Sequence, residues 1–492
     1  MLIGAQIVAG FAVWGMLAGA APPTPKVLIL GVDGMRADAM LRAQTPSIDR
    51  LMAEGCYTWS AQTSDVTVSG PGWSSFLCGV WRDKHGVRDN TFRGADYEAY
   101  PHFFVRLREI APRLSTAHLC DWLPIDQFIL GNFEPDHRFA VDYEDDGDAK
   151  TVDAAIAMFT NHRPDVTFIY FADVDTAGHT HGFHPFVAEY LAEIEEVDGQ
   201  IGLILDAVFS HPEAAHEDWL IILSTDHSGT LDGAHGRNEP AHREMPMIVS
   251  GARSARGMLH DTANQVDIPA TALAFLGLTP LPEWNWDGRP VGLRTVTPLG
   301  ENIVFNGDAE YTLGYPDAKS NAGIAGWNDI GPMTVVRYGA SEGFPSAAAG
   351  ARIGGGRNFF CGGSGPDRIS RMEQSIGIAD LTARIDAGDI WFELGAHLGG
   401  YASQRDCATV ICEFIDAYGG VRGRAQVGPV MAADRARELG SKGLDLTGLV
   451  RRDVRGAVPS GTRRVRLTLV AEAGSGDNDG YADNITLVLH AR

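Results

Sequence analysis

The chain is short of positive charge: 40 Lys and Arg stand against 63 Asp and Glu, a formal net charge of -23 over 492 residues. Nucleic-acid backbones are held by basic patches, and a chain with this balance is not built to grip a duplex. Cysteine is also scarce, with six residues (Cys56, Cys78, Cys120, Cys361, Cys407 and Cys412) and no CxxC pair, which excludes a cysteine-rich zinc module. An even number permits disulfides outside the cytoplasm, and buried free thiols satisfy the first three equally well. No long apolar run is present. The one at residues 7–17 is too brief for a comfortable membrane span and lacks a preceding Lys or Arg. It is followed by Ala18-Gly19-Ala20, the pattern of a signal peptide over residues 1–21, so export to the periplasm or medium is expected over a retained anchor.

What is present is a substantial apolar fraction, 45%, with 21% charged residues, enough to bury the cores of two or three domains. Residues 26–32 form a short continuous apolar run ending at Asp33, as expected of a strand covered on both faces. Residues 45–55 read as a helix stopping at glycine. The alternation continues with helices over 100–110, 149–160, 185–209 and 268–276, and strands over 115–119, 166–171, 219–224 and 245–250. It predicts an α/β domain over residues 26–296, with a mostly parallel sheet and helices on both faces. Beyond residue 296 glycine-rich turns separate short β-patterned runs, such as 389–394, 409–415 and 464–470, and an all-β module over 300–492 is expected.

The chemistry gathers where strands of such a sheet end. Asp33, Asp175 and Asp226 follow predicted strands, the carboxyl ends at which α/β sheets bind ligands. His227 adjoins Asp226, and Ser228-Gly229 allow the chain to turn so that both side chains reach one ion. Asp175 and His179 are four apart, a spacing that a tight turn or one helical turn aims at a common point. His235 lies in a glycine-flanked loop. Three carboxylates and three imidazoles are the side chains of a two-metal hydrolase, and the cations would attract an anion that the surface repels. Between them lies Thr67-Val-Ser-Gly-Pro-Gly-Trp-Ser-Ser75. Pro71 suits the first turn of a helix, which places Ser69 and Gly70 at an N-terminus where free N–H groups and the dipole favour phosphate. Ser69 is the candidate nucleophile, or else only a helix cap; Thr67, Ser74 and Ser75 compete with it. His181 and His184 read as hydrogen bonders or solvated residues, and His242 competes with His235. Asp142, Glu144, Asp145, Asp146 and Asp148 read as a solvated acidic loop or a weak calcium site.

Gly31-Val-Asp-Gly-Met-Arg-Ala-Asp38, Ser69-Gly-Pro, Ser75-Phe-Leu-Cys-Gly79, His85-Gly-Val-Arg-Asp-Asn90, Asp175-Thr-Ala-Gly-His179, Thr225-Asp-His227 and His235-Gly236 resemble, in order, the motifs of the alkaline phosphatase superfamily, nearest its nucleotide pyrophosphatase/phosphodiesterase branch. The resemblance implies two Zn2+, one held by Asp175, His179 and His235 and the other by Asp33, Asp226, His227 and Ser69, about 4 Å apart. It also implies a covalent phospho-serine on the way to hydrolysis of a small phosphate ester. Serine replaces the branch's usual threonine at position 69, so a phosphomonoesterase is the alternative. Gly72 stands where the branch has asparagine, leaving Asn90 or the Gly70 N–H to meet the phosphoryl oxygens. No Cys/Ser-x-Pro-x-Arg sequence marks a sulfatase.

The C-terminal module resembles a galactose-binding-like jelly roll through Asn306-Gly-Asp308, Gly326-Trp-Asn328 and residues 477–486, which implies a structural Ca2+ and contact with glycans through exposed aromatics. A packing role with Trp327 in its core is the plainer expectation. A glycan-binding surface protein with a silent enzyme fold is the reading from a different class, and the complete ligand set argues against it.

Overall fold

The computed structural model describes residues 23–492 except 143–145, 260, 295, 320–322, 342, 366–367, 440–446 and 475. The signal-peptide segment, Glu144 and Asp145 lie outside the described residues. No helix among those described is long and apolar enough to cross a membrane.

Eight strands form the first sheet: β1 Thr24–Val32, β2 Gly55–Gln62, β3 Thr116–Cys120, β4 His137–Ala140, β5 Val166–Phe171, β6 Glu217–Ser224, β7 Glu244–Ser250 and β8 Gly257–Met258. Their order is β4-β3-β5-β1-β6-β7-β2-β8. The β4-β3-β5-β1-β6 run is parallel, and β7 runs against both β6 and β2. Val27 to Val32, except Gly31, are apolar and buried because helices cover both faces of the sheet: Val27 and Ile29 pack on one side, Leu28, Leu30 and Val32 on the other. The observed helices Pro46–Ala53, Phe103–Ile110, Gly147–Asn161, Ala188–Phe209 and Asp267–Phe275 match the predicted ones apart from their ends. Two starts come three residues later than predicted. His102 caps the Phe103 helix by accepting from Phe104 N, and residues 185–187 form a turn before Ala188. Strand β2 was not foreseen: its Thr, Ser and Gln positions hide an apolar alternation that pairing with β7 makes stable.

The second body is a β-sandwich of two five-stranded antiparallel sheets. Its strands are β9 Asn328–Ile330, β10 Thr334–Arg337, β11 Asn358–Gly363, β12 Ile369–Gly377, β13 Ile390–Gly400, β14 Cys407–Ile415, β15 Val421–Val427, β16 Gly448–Ala457, β17 Arg464–Glu472 and β18 Asn478–Ala491. One sheet has the order β10-β11-β18-β13-β16 and the other β15-β14-β17-β12-β9. Leu394, Leu398, Val410, Leu467 and Leu487 interleave between them, and Trp327 lies in this core, 1% exposed. The exposed aromatic side chains of the sandwich are Tyr311 and Tyr418 among the described residues. All six cysteines are buried free thiols, so the even count is not a disulfide framework.

The two bodies meet through polar contacts. Thr262 N donates to Ser375 O at 2.9 Å, Ser375 N returns a bond to Thr262 Oγ1 at 2.7 Å, and Arg243 pairs with Asp329 at 3.2 Å.

Candidate active site

The strand order places β5, β1 and β6 side by side at the sheet centre, and the acidic candidates come from their carboxyl ends. Asp33 sits one residue beyond β1, tethered by its N–H to Phe171 O of β5 at 3.0 Å. Asp175 and His179 lie on the helix Asp173–His181 that follows β5, one turn apart. Asp226 and His227 lie just past β6, where Thr225 Oγ1 donates to His227 O at 3.1 Å and accepts from Met35 N at 3.2 Å, lacing this turn to the one after Asp33. Gly34 has φ +65, and a Cβ there would lie 2.6 Å from Asp175 Oδ1, so this close approach of two acidic loops requires glycine.

All six acid and imidazole candidates converge. Ligand atoms of Asp33, Asp226 and His227 lie within 4.8 Å of one another, as do those of Asp175, His227 and His235. His227 Nε2 is 3.5 Å from Asp33 Oδ1 and 3.4 Å from Asp226 Oδ2. His179 Nε2 is 3.3 Å from Asp175 Oδ2 and 3.0 Å from His235 Nε2. The ring of His227 stacks on that of His235 at 3.9 Å. His235 Nδ1 lies 2.8 Å from Thr67 O and His179 Nδ1 2.9 Å from Gly233 O. A carbonyl only accepts, so each Nδ1 donates to it and both Nε2 atoms face inward; His179 keeps a second proton on Nε2, beside Asp175 and His235, until a cation takes its place. His242 does not share this arrangement: its Nδ1 accepts from Arg237 N and its Nε2 meets Thr230 Oγ1, which makes it a brace for the His235 loop.

Electrostatics show what the cluster needs. Asp33 Oδ1, Asp175 Oδ1 and Asp226 Oδ2 are buried without a hydrogen-bond partner. Among the described residues the ion-pair partners of these carboxylates are histidines. Burial, then the charge of Asp175, pushes Asp33 up to about 7; burial, then Asp33, raises Asp226. Burial, then His235 and His179, holds His227 well below its ordinary value, hence neutral. His179 is raised to about 9, first by its bond to Asp175. Converging carboxylates with orphaned oxygens, flanked by inward-facing imidazole nitrogens, fit divalent cations, which would supply the missing positive charge.

The structure also separates the competing hydroxyls. Ser69 opens the helix Ser69–Cys78, is 4% exposed, and holds Oγ 3.4 Å from His227 Nε2. Thr67 Oγ1 donates to Arg237 O and accepts from Gly236 N; Ser74 Oγ donates to Gly70 O and meets Tyr97; Ser75 Oγ meets His85 Nε2. Only Ser69 among the four faces the acid and imidazole cluster.

One expectation changes. The helix start does not offer a row of free N–H groups: Pro71 has none, Gly72 N bonds Val68 O, and Gly70 N donates to Asn90 Oδ1 at 2.7 Å. The Gly70 N–H therefore orients Asn90 instead of meeting a ligand, and with Oδ1 engaged, the Asn90 amide hydrogens are left to donate outward. Gly72 cannot carry a side chain in place, because a Cβ would lie 2.9 Å from Asp226 Cβ. Two aromatic residues escaped sequence reading. Trp73 Nε1 and the Tyr170 hydroxyl both donate to Asp33 Oδ2, at 2.9 and 2.7 Å, which leaves Oδ1 facing His227. No sequence signal links them to Asp33, 40 and 137 positions away.

Residues 27–125 and 122–231, two overlapping stretches, match the type I phosphodiesterase / nucleotide pyrophosphatase family. GPI ethanolamine phosphate transferase 1 of Saccharomyces cerevisiae is 22% identical over 330 residues, 62% of this chain and 35% of that one. Bis(5'-adenosyl)-triphosphatase enpp4 of Xenopus laevis is 22% identical over 204 residues, 37% of this chain and 42% of that one. The chain thus spans well under half the length of these relatives. Among solved structures, murine ectonucleotide pyrophosphatase / phosphodiesterase 5 aligns at 15% identity and a TM-score of 0.44, over 52% of this chain and 96% of that one. The family match runs from β1 through Asp33, Ser69, Asp175, His179, Asp226 and His227, so over this stretch the α/β domain is similar to the type I phosphodiesterase / nucleotide pyrophosphatase family.

Proposed function

We propose that the chain hydrolyses small phosphoric diesters or pyrophosphates with Ser69 as the nucleophile. The reading is carried by one observation: Ser69 Oγ, alone among the neighbouring hydroxyls, opens onto a buried cluster in which one oxygen of each of three carboxylates lacks a partner. Asp175, His179 and His235 would hold one divalent cation, and Asp33, Asp226 and His227 the other, with Zn2+ as the expected ion. Bound there, the cations lower the pKa of the serine hydroxyl and neutralise the departing oxygen.

The chain's own residues supply the rest. The helix start fixes Ser69 Oγ at the cluster, and its dipole favours the phosphate. The Asn90 amide, set by the Gly70 N–H, donates to a phosphoryl oxygen where charge accumulates. Thr67 O and Gly233 O hold His235 and His179 in the tautomer that keeps Nε2 available. As the Oγ–P bond forms, the bond from phosphorus to the leaving oxygen breaks, and the serine proton passes through solvent to that oxygen. Water then adds to phosphorus, the Oγ–P bond breaks, and the serine hydroxyl is regenerated with a phosphomonoester as the second product. The N-terminal apolar segment supports export as part of the same reading.

The test is hydrolysis of bis(p-nitrophenyl) phosphate beside p-nitrophenyl phosphate, with and without added Zn2+. Metal-dependent cleavage that prefers the diester and falls by roughly four orders of magnitude in Ser69→Ala supports the reading. Preference for the monoester moves the enzyme to the phosphatase alternative, and full activity in Ser69→Ala removes the nucleophile.

A further inference from the structure

A second group of metal-type side chains lies on β3 and the turn that follows it, with β5 between β3 and the end of β1 that carries Asp33. His118 and Cys120 are two apart on β3 and therefore share one face. A π-helical turn, Ile125–Leu130, lays Asp126 over that face. One ligand atom from each of the three falls within 4.8 Å of the other two, and the residues are 0%, 0% and 6% exposed. His118 Nε2 lies 4.0 Å from Asp126 Oδ1.

His118 is the anomaly. Neither of its ring nitrogens has a hydrogen-bond partner, although a neutral imidazole carries one N–H and one lone pair. Burial, the main cause, brings its pKa down to about 4, so the ring is neutral and its two polar groups sit buried without partners, an arrangement that costs stability unless something occupies them. The ester-cleaving cluster does not use it, because β5 stands between β3 and β1.

We infer that His118, Cys120 and Asp126 form a structural site for a thiolate-binding divalent ion of the zinc class. The ion accepts the inward lone pair of His118 and displaces the Cys120 thiol proton to solvent. The thiolate and the Asp126 carboxylate balance its two charges. Arg138, which grips Asp126 through two bonds of 2.7 Å, is 31% exposed, so its own charge is shared with water while it holds the carboxylate in place. The Trp122 carbonyl oxygen, 3.7 Å from Cys120 Sγ, is within reach as a fourth ligand. Zinc bonds of about 2.3 Å to sulfur and 2.1 Å to nitrogen set neighbouring ligand atoms roughly 3.5 Å apart, so loading draws the three side chains inward. The soft thiolate selects zinc over calcium or magnesium, and the burial makes the ion part of the folded core.

The full chain produced in Co2+-supplemented medium tests this independently of catalysis, since the cluster around Ser69 contains no cysteine. A thiolate-to-cobalt charge-transfer band in the near ultraviolet is expected, absent in Cys120→Ser, with bound metal in Cys120→Ser and His118→Ala one ion per chain below wild type. No such band, together with equal metal content in all three proteins, overturns the site. Zinc-edge X-ray absorption of the wild-type protein gives a reading that needs no variant: a sulfur shell supports the site, and nitrogen and oxygen scatterers alone refute it. Loss of ester hydrolysis with the band retained would instead count against the Ser69 reading.

Discussion

Replacing Tyr170 by phenylalanine removes one atom and isolates one step of the proposed mechanism, the aiming of Asp33. The hydroxyl donates to Asp33 Oδ2 at 2.7 Å and the Trp73 indole N–H at 2.9 Å, so both donors bind the same oxygen and leave the other free for a cation. Both rings are 0% exposed and pack edge to face at 5.0 Å, and neither can swing away without a cavity. Gly31 of β1 makes the room, since a Cβ there would meet the Trp73 ring at 2.5 Å. A hydrogen bond to a buried charge contributes about 1.5–3 kcal/mol. At about 1.4 kcal/mol per tenfold, metal affinity should fall roughly 10- to 150-fold, in line with the 10–100-fold typical of residues that orient a metal ligand. The assay is chelator competition with bound metal counted directly, beside kcat and KM at saturating metal. Tyr170→Phe should need more Zn2+ for half-maximal loading and recover most of its kcat once loaded, with an unchanged fold by circular dichroism. Wild-type affinity in Tyr170→Phe would refute the aiming of Asp33 while leaving Ser69 untouched.

Other outcomes follow from the same geometry. Loading the cluster near neutral pH should release protons, because His179, raised to about 9, and Asp226, raised by burial, hold theirs until a cation arrives; uptake therefore weakens as pH falls, and calorimetry in two buffers of different ionisation enthalpy that finds no release would contradict this. Gly70→Ala places a Cβ 2.8 Å from Asp89 O and 3.0 Å from Asn90 Oδ1, and the displaced amide should cost kcat/KM roughly 100-fold, with melting temperature as the control for folding. Lys84→Met strands Asp287, its partner at 2.7 Å with both side chains 1% exposed, and chemical denaturation should register a loss of about 3–5 kcal/mol. The six buried thiols should resist a thiol reagent in the native protein, and adding a reductant should leave the melting temperature where it was.

The sequence showed the ends of β1, β5 and β6 clearly because each is a buried parallel strand stopped by a carboxylate, and such strands read as unbroken apolar runs. It hid β2 because a strand that pairs antiparallel beside a two-residue edge strand tolerates Thr, Ser and Gln, which carry no periodic signal of their own. The same contrast divides the site. Asp33, Asp175, His179, Asp226, His227 and His235 stand out as acid and imidazole residues gathered at or beyond the ends of predicted strands, whereas Trp73 and Tyr170 look like ordinary core aromatics. Their role depends on which carboxylate oxygen they reach, a fact of tertiary packing alone.

The backbone of the Ser69 turn carries the same lesson further. Reading Ser69-Gly70-Pro71 as an anion-binding helix start is sound for the dipole, which any helix has, and fails for the N–H groups, whose partners are decided by the chain that packs against them. Here that chain is the 85–90 loop. His85, fully buried, ties it to the helix through Ser75, and Gly70 admits Asn90 close enough to accept its N–H. One backbone donor is exchanged for a side-chain amide that stands farther out. A glycine at position 70 thus prescribes an asparagine twenty residues later, and the pair meets the phosphate as one device: removing either half, by Gly70→Ala or Asn90→Ala, should cost nearly as much as removing both. Additive losses in the double variant would mean that the two groups contact the substrate separately, and that the Gly70 N–H turns to the ligand after all.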